Sequence, residues 1–119
     1  MTTPEGRVKA KVRELLRQYD GMYLYMPVPT GFGQTTLDFL GCYRGRFFSI
    51  ETKAEGKQPT LRQMTLLQDI DRAMGRTFII SGVNSPVIDQ LREWLNQLTE
   101  TIDDHPYLTP DPVHRRPIP

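Results

Sequence analysis

Two apolar segments joined by only two residues constrain the fold of this chain more than any other feature. Residues 37–43 and 46–53 are rich in aromatic and aliphatic side chains, and Arg44-Gly45 separates them. A two-residue connection that ends in glycine is typical of a tight β-hairpin, and such a turn fixes which residues lie opposite one another. We therefore predict two antiparallel strands at 37–43 and 46–53 with a single register.

The predicted register brings two carboxylates together. Counting back from the turn along both strands places Asp38 directly opposite Glu51, and the side chains of such a pair lie about 5 Å apart on one face. Lys53 follows Glu51 by two residues and therefore shares that face. The side chain of Thr52 is expected to point to the opposite face, so that only its backbone carbonyl would face the site.

Paired carboxylates beside an ammonium group suggest a metal-dependent hydrolytic site. Two adjacent carboxylates repel each other unless a cation lies between them, and their hard oxygen atoms suit Mg²⁺. A divalent ion lowers the pKa of bound water and polarises a phosphoryl oxygen, while Lys53 would orient the water or hold the phosphate. The alternative is an exposed ion pair between Glu51 and Lys53, with Asp38 near a turn. Charged residues in otherwise apolar strands usually have a reason, which favours the site over this alternative.

Capping residues and apolar periodicity predict three helices. Thr3-Pro4 begins the first helix, and Gly21 is its expected end. Thr60 begins the second helix with Gln63 in a capping box, and Ser85-Pro86 begins the third. The side chains expected to face the core are Val8, Val12, Leu15 and Tyr19 in the first helix; Leu61, Met64, Leu67, Ile70 and Met74, before a stop at Gly75, in the second; and Val87, Leu91, Trp94, Leu95 and Leu98 in the third.

Shorter apolar runs complete a small α/β domain. Residues 22–26 and 76–81 are predicted strands, and 27–35 is a loop that contains prolines and glycines. Three or four strands, with helices before, between and after them, supply a small mixed β-sheet flanked by helices on both faces.

Length, cysteine content and charge narrow the class of protein. A chain of 119 residues fits one domain, and a single cysteine, Cys42, excludes both a disulfide-stapled scaffold and a cysteine-rich zinc site. The net charge of +1 hides an asymmetry. Residues 1–76 hold 12 basic and 8 acidic side chains, whereas 77–119 hold 3 and 6. The basic first part is compatible with an anionic partner.

The distribution of proline separates a tail from the folded domain. Five of the ten prolines lie in residues 106–119, so we expect a folded domain at 1–102 and a proline-rich C-terminal tail at 103–119. The chain begins without an apolar leader, and its longest nearly apolar run, 22–28, is too short to span a bilayer. These features predict a soluble, intracellular protein.

The spacing of the charged residues resembles that of a known nuclease superfamily. Asp38 is followed thirteen residues later by Glu51-Thr52-Lys53, and a helix that carries Gln63 comes next. This pattern resembles the PD-(D/E)XK nucleases and, more narrowly, the compact stand-alone VRR-NUC nucleases of phages and bacteria. The resemblance covers roughly residues 5–98, although Leu37 stands where the superfamily usually has proline. It implies a restriction-endonuclease-like αβββαβ core.

The resemblance also implies roles for the residues of the hairpin. Asp38 and Glu51 would be catalytic residues that bind Mg²⁺ or Mn²⁺, and Thr52 would add its backbone carbonyl as a ligand. Lys53 would be the catalytic lysine.

Two further residues are implied by the resemblance, and each has a structural alternative. Gln63 would lie near the site and take part in catalysis, but a capping box explains it without chemistry. The family also uses a glutamate on its first helix as a metal ligand, and Glu5 fits that position better than Glu14. An acid in the first turn is also favoured by the helix dipole alone.

The resemblance implies a metal-dependent DNA endonuclease that acts on Holliday junctions or other branched DNA. Such an enzyme would work as a homodimer inside a bacterial or phage-infected cell. The alternative is a non-catalytic nucleic-acid-binding or assembly module that retains the nuclease fold and binds through the basic residues of 7–17. The side chains expected to contact DNA are Arg7, Lys11, Arg44, Arg46, Lys57 and Arg62.

Overall fold

A mixed sheet with helices on both faces forms the fold. The computed structural model describes residues 2–28 and 36–101. The elements of these residues are α1 (Pro4–Leu16), β1 (Tyr23–Tyr25), β2 (Phe39–Tyr43), β3 (Arg46–Lys53), α2 (Leu61–Arg72), β4 (Arg76–Ser81) and α3 (Pro86–Thr99). The four strands lie in chain order, with β1, β2 and β3 antiparallel and β4 parallel to β3. The predicted α/β class with a small mixed sheet is confirmed.

The β2–β3 hairpin has the predicted register. Tyr43 pairs with Arg46 next to the turn, and Phe39 pairs with Ile50 at the last rung. Arg44 and Gly45 have φ values of 52° and 79°, as a two-residue turn with left-handed backbone at both central positions requires. The turn therefore determines how the rest of the hairpin is aligned.

The main core lies between one face of the sheet and two helices. Alternate strand residues such as Phe39, Phe48 and Ile50 are fully buried on this face. α1 contributes Val8 and Val12, and α3 contributes a further set of buried side chains to the same cluster. These are Ile88, Leu91, Trp94 and Leu95. The helix caps at Thr3, Thr60 and Ser85 all form as predicted.

The second helix covers the opposite face of β3 and β4, and its predicted apolar stripe is only partly correct. Leu67 is buried, but Leu61 and Met74 are 85% and 87% exposed. Leu61 is the first residue of α2 and precedes the buried residues of the helix, Gln63 and Leu67. Met74 lies beyond the last residue of α2 with a positive φ of 70°, so it does not continue the apolar stripe of the helix.

The first helix also ends earlier than Gly21. α1 ends at Leu16, so Tyr19 lies in the following turn rather than on the helix. Its ring still packs edge-on against Tyr43, with 5.7 Å between the ring centroids. The apolar position was therefore predicted correctly, but its secondary structure was wrong.

Part of the sheet face that α2 shares remains exposed to solvent. Tyr23 and Tyr25 on β1 are 68% and 53% exposed, and Phe47 on β3 is 44% exposed. The predicted loop at 27–35 lies mostly, and the tail at 103–119 entirely, outside the described residues. No helix among the residues that the structure describes is long and apolar enough to cross a membrane.

Candidate active site

Asp38, Glu51 and Lys53 meet at the end of the β2–β3 hairpin that lies away from its turn. The backbone N–H of Asp38 donates a hydrogen bond of 3.2 Å to Oε1 of Glu51. The ammonium nitrogen of Lys53 lies 3.4 Å from the other carboxylate oxygen, Oε2. The structure thus brings together the three residues that the hairpin register predicts.

Thr52 differs from the prediction, because its side chain does not point away from Asp38. The Thr52 backbone N–H donates to Oδ2 of Asp38 at 2.9 Å, and the Thr52 hydroxyl donates to the same oxygen. Phe39 is the first residue of β2 that pairs with β3. Asp38 lies one residue before it in a bend, so its carboxylate turns across the strand end toward Thr52. These two bonds fix the orientation of the Asp38 carboxylate.

Lys9 of α1 is a member of this cluster that the sequence analysis does not single out. Its ammonium nitrogen lies 3.7 Å from Oδ1 of Asp38, and its side chain is 31% exposed. It lies next to the buried Val8, which places it at the border between core and solvent. That border position was visible in the helical periodicity, but the packing of α1 over the strand end was not. Two carboxylates therefore face two ammonium groups.

Burial dominates the electrostatics of Glu51. The Glu51 side chain is only 2% exposed. Its pKa is raised from 4.5 to about 7, first because burial removes water from the carboxylate and second because Asp38 adds a negative charge. The ammonium of Lys53 opposes both effects. The folded chain thus holds a carboxylate whose negative charge is poorly compensated by its protein surroundings.

The oxygen atoms of this cluster fit a Mg²⁺ or Mn²⁺ ion that is also bound by water and substrate. Mg²⁺ commonly takes one or two protein carboxylates and completes its coordination with water and phosphate oxygens. Asp38 and Glu51 supply two carboxylates, and each retains lone pairs beyond the contacts described above. The described residues contain no group of three or more His, Cys, Asp or Glu side chains that could enclose an ion. The donors thus suit an open site rather than a closed protein cage.

The structure gives Gln63 a capping role, and it leaves Glu5 outside the acidic pair. The side-chain oxygen of Gln63 accepts from the Thr60 backbone N–H at 2.9 Å, and the Thr60 hydroxyl accepts from Gln63 at 3.2 Å. Gln63 is 7% exposed, and its part in catalysis stays a prediction. Glu5 is exposed in the first turn of α1. Within the described residues it forms no metal-binding group with Asp38 and Glu51.

The basic residues of the hairpin turn are close to the site in sequence but not in space. Arg46 begins β3 and Glu51 is five residues further on, which corresponds to about 17 Å along an extended strand. Arg44 lies in the turn itself and donates to the Thr99 carbonyl at 3.1 Å. Lys57 and Arg62, in contrast, follow the site end of β3 and are exposed.

The two basic residues predicted on α1 donate hydrogen bonds to backbone carbonyls of the protein. The ammonium of Lys11 donates to the carbonyl of Val83 at 2.6 Å, and the guanidinium of Arg7 donates to the carbonyl of Thr2 at 3.2 Å. Lys11 thus ties α1 to the segment between β4 and α3. Lys9, which contacts Asp38, is the α1 cation nearest the acidic pair.

Comparison with known proteins identifies no relative of this chain. No family model matches the chain, and no curated protein or solved structure matches it at a significant level. The nuclease resemblance therefore stays a prediction, and function has to be argued from the site.

Proposed function

We propose that the chain is a divalent-metal-dependent DNA endonuclease that hydrolyses phosphodiester bonds. The observation that carries the proposal is the contact of Glu51 with both the Asp38 backbone and the Lys53 ammonium at one strand end. A buried acid beside a second acid and an amine, at the end of two inner strands, costs folding free energy that a purely structural role does not require. It suits a site that holds a cation and an anionic substrate together.

The residues divide the proposed chemistry between them. Asp38 and Glu51 would hold the Mg²⁺ or Mn²⁺ ion, with the Thr52 backbone carbonyl as a further oxygen. When bound, the ion supplies a water of lowered pKa and polarises the phosphoryl oxygen. The Lys53 ammonium, at 12% exposure, would hold a phosphate oxygen or orient the attacking water. Thr52, through its two hydrogen bonds to Asp38, would hold the carboxylate in one orientation.

We further propose branched DNA, including the Holliday junction, as the substrate and a homodimer as the active form. A small domain cuts one strand per site, so cleavage of two strands requires two sites, which a two-fold dimer supplies. The exposed rings of Tyr23, Tyr25 and Phe47 on one sheet face offer an apolar surface for a second copy. An intracellular location belongs to the same proposal.

Cleavage of labelled branched and linear DNA in Mg²⁺, Mn²⁺ or EDTA tests the activity. The wild-type chain should cut only with a metal, and Asp38→Asn and Lys53→Met should bind DNA without cutting it. Asp71→Asn on the exposed face of α2 is the matched control and should cut like the wild type. Cleavage by Asp38→Asn at the wild-type rate would refute the assignment of the site. Size measurement in solution tests the dimer.

A non-catalytic nucleic-acid-binding module is the second candidate, and the cations of α1 favour it. Basic side chains line this helix whether or not the site binds a metal. DNA binding that falls with salt, without cleavage in either metal, would establish this candidate.

A further inference from the structure

A groove runs along the solvent side of α1 and leads to the candidate site. Gly6 and Ala10 form a shallow floor one helical turn apart, and Met26, just after β1, lines the other wall. The groove has a volume of about 480 Å³. Ala10 is exposed, and a longer side chain at this position would extend into the groove.

Three cations line this groove on one stripe of the helix. Lys9, Arg13 and Arg17 are spaced by four residues, which places them on one face. One acid, Glu14, also lines the groove, and it lies 3.8 Å from Arg17. The groove therefore carries more positive than negative charge. Arg7 and Lys11, which the sequence suggested as DNA contacts, do not line it.

The length of the groove spans consecutive phosphates of one polynucleotide strand. From Gly6 to Arg17 the helix rises about 17 Å, and Lys9, Arg13 and Arg17 follow one another at about 6 Å along its axis. Neighbouring phosphates of one extended strand can contact cations at this spacing in turn.

Lys9 connects the groove to the acidic pair. It lines the groove at one end, and its ammonium lies 3.7 Å from Oδ1 of Asp38. A strand whose phosphates contact Arg17 and Arg13 in turn would therefore reach Asp38 and Glu51 next.

We propose that the α1 groove binds a single DNA strand and delivers its backbone to Asp38 and Glu51. This proposal rests on the proposed nuclease function, and it specifies that the substrate presents an unpaired arm to the enzyme. Arg13 and Arg17 contact consecutive phosphates, and the floor at Ala10 admits the sugar–phosphate backbone. Lys9 contacts the strand where the groove meets the site.

Binding of a fluorescent single-stranded oligothymidine, measured by anisotropy in EDTA, tests the groove without cleavage. Arg13→Gln/Arg17→Gln removes two phosphate contacts, so affinity should fall about 25-fold at about 0.1 M salt, and the slope of log K against log salt should decrease by about 1.4. Ala10→Leu keeps the charge but fills the floor, and it should also weaken binding. Leucine and glutamine are good helix formers, so α1 should persist, as circular dichroism would show.

Arg72→Gln/Arg92→Gln is the matched control. These arginines lie on α2 and α3 and pair with an aspartate three residues before them, as Arg17 pairs with Glu14. The control loses the same charge and should bind within about twofold of the wild type. Equal losses of affinity in the control and groove variants, or wild-type affinity in Ala10→Leu, would contradict binding in the groove and indicate diffuse electrostatic attraction instead. Preference for a polyglutamate peptide over the oligonucleotide would overturn it in favour of an acidic protein partner.

Cleavage of branched DNA by the same variants separates this proposal from the nuclease itself. Normal cleavage and strand binding by the groove variants would overturn the groove and leave the nuclease intact. Strand binding through the groove without cleavage in any metal would support the groove and overturn the proposed hydrolysis.

Discussion

Replacing Glu51 by glutamine should stabilise the metal-free protein above neutral pH. The Glu51 carboxyl has a pKa of about 7 in the folded chain, raised by burial first and by Asp38 second, against an ordinary value of 4.5. The difference corresponds to about 3 kcal/mol of folding free energy lost when the carboxyl is charged. Glutamine has nearly the same shape, and its side-chain oxygen can still accept from the Asp38 N–H. We therefore expect Glu51→Gln to gain about 2–3 kcal/mol at about pH 8.

The sign of this effect reverses the usual behaviour of a carboxylate that is stabilised by a partner. Between the unfolded pKa of 4.5 and the folded pKa of about 7, the folded chain binds more protons than the unfolded chain. The contribution of Glu51 to stability therefore falls as pH rises through this window and is fully lost above it. Below the window both states are protonated, so Glu51→Gln should differ little from the wild type there.

Urea unfolding in EDTA, at a series of pH values from about 4 to 8.5, measures this difference. Glu93→Gln, an exposed acid on α3, is the control and should leave the pH profile unchanged. Destabilisation of Glu51→Gln by the same amount at every pH would contradict this prediction, because the buried charge of Glu51 in the wild type would then carry no free-energy cost.

Three further outcomes follow from the same contacts. Adding Mg²⁺ or Mn²⁺ above pH 7 should raise the unfolding temperature of the wild type but not that of Asp38→Asn, because the ion should bind only the folded site. Scanning fluorimetry measures both temperatures, and an equal shift in the two proteins would contradict this prediction. Ser49→Ala should stabilise the protein by about 1 kcal/mol in urea unfolding, since the Ser49 hydroxyl is buried with no hydrogen-bond partner among the described residues; a loss of stability would contradict this. Thr60→Ala should lower the free energy of unfolding by about 1 kcal/mol, because it removes the α2 capping box. Cleavage should stay unchanged, and loss of cleavage would point to a role of this cap in the site.

The hairpin shows how much of the site could be predicted from local sequence. The Arg44-Gly45 turn determines the register over the whole of β2 and over residues 46–50 of β3, and the proximity of Asp38 and Glu51, one residue beyond the last pair, follows from that one local feature. The orientation of Thr52 did not follow, because Asp38 lies just beyond the regular ladder, where alternation of side chains no longer applies. A strand pattern is reliable only as far as its hydrogen-bonded pairs extend.

Contacts between distant elements could not be predicted. Lys9 reaches Asp38 because α1 packs across β3, and no local pattern specifies that packing. Arg46 was expected near the site because it is near in sequence, but an extended strand carries it away from Glu51. Periodicity also overestimated α2, since it does not indicate that the helix ends at Arg72 and leaves Met74 outside.

Single-turnover cleavage of labelled branched DNA by wild type and Glu51→Gln in Mn²⁺ is the decisive test of the proposed site. The glutamine variant should be folded and at least as stable as the wild type in EDTA, yet it should cut at least about 100-fold more slowly, because one of the two proposed metal-binding carboxylates is gone. Cleavage by this variant at the wild-type rate, or cleavage by the wild type in EDTA, would contradict the proposed metal-dependent hydrolysis at Asp38 and Glu51.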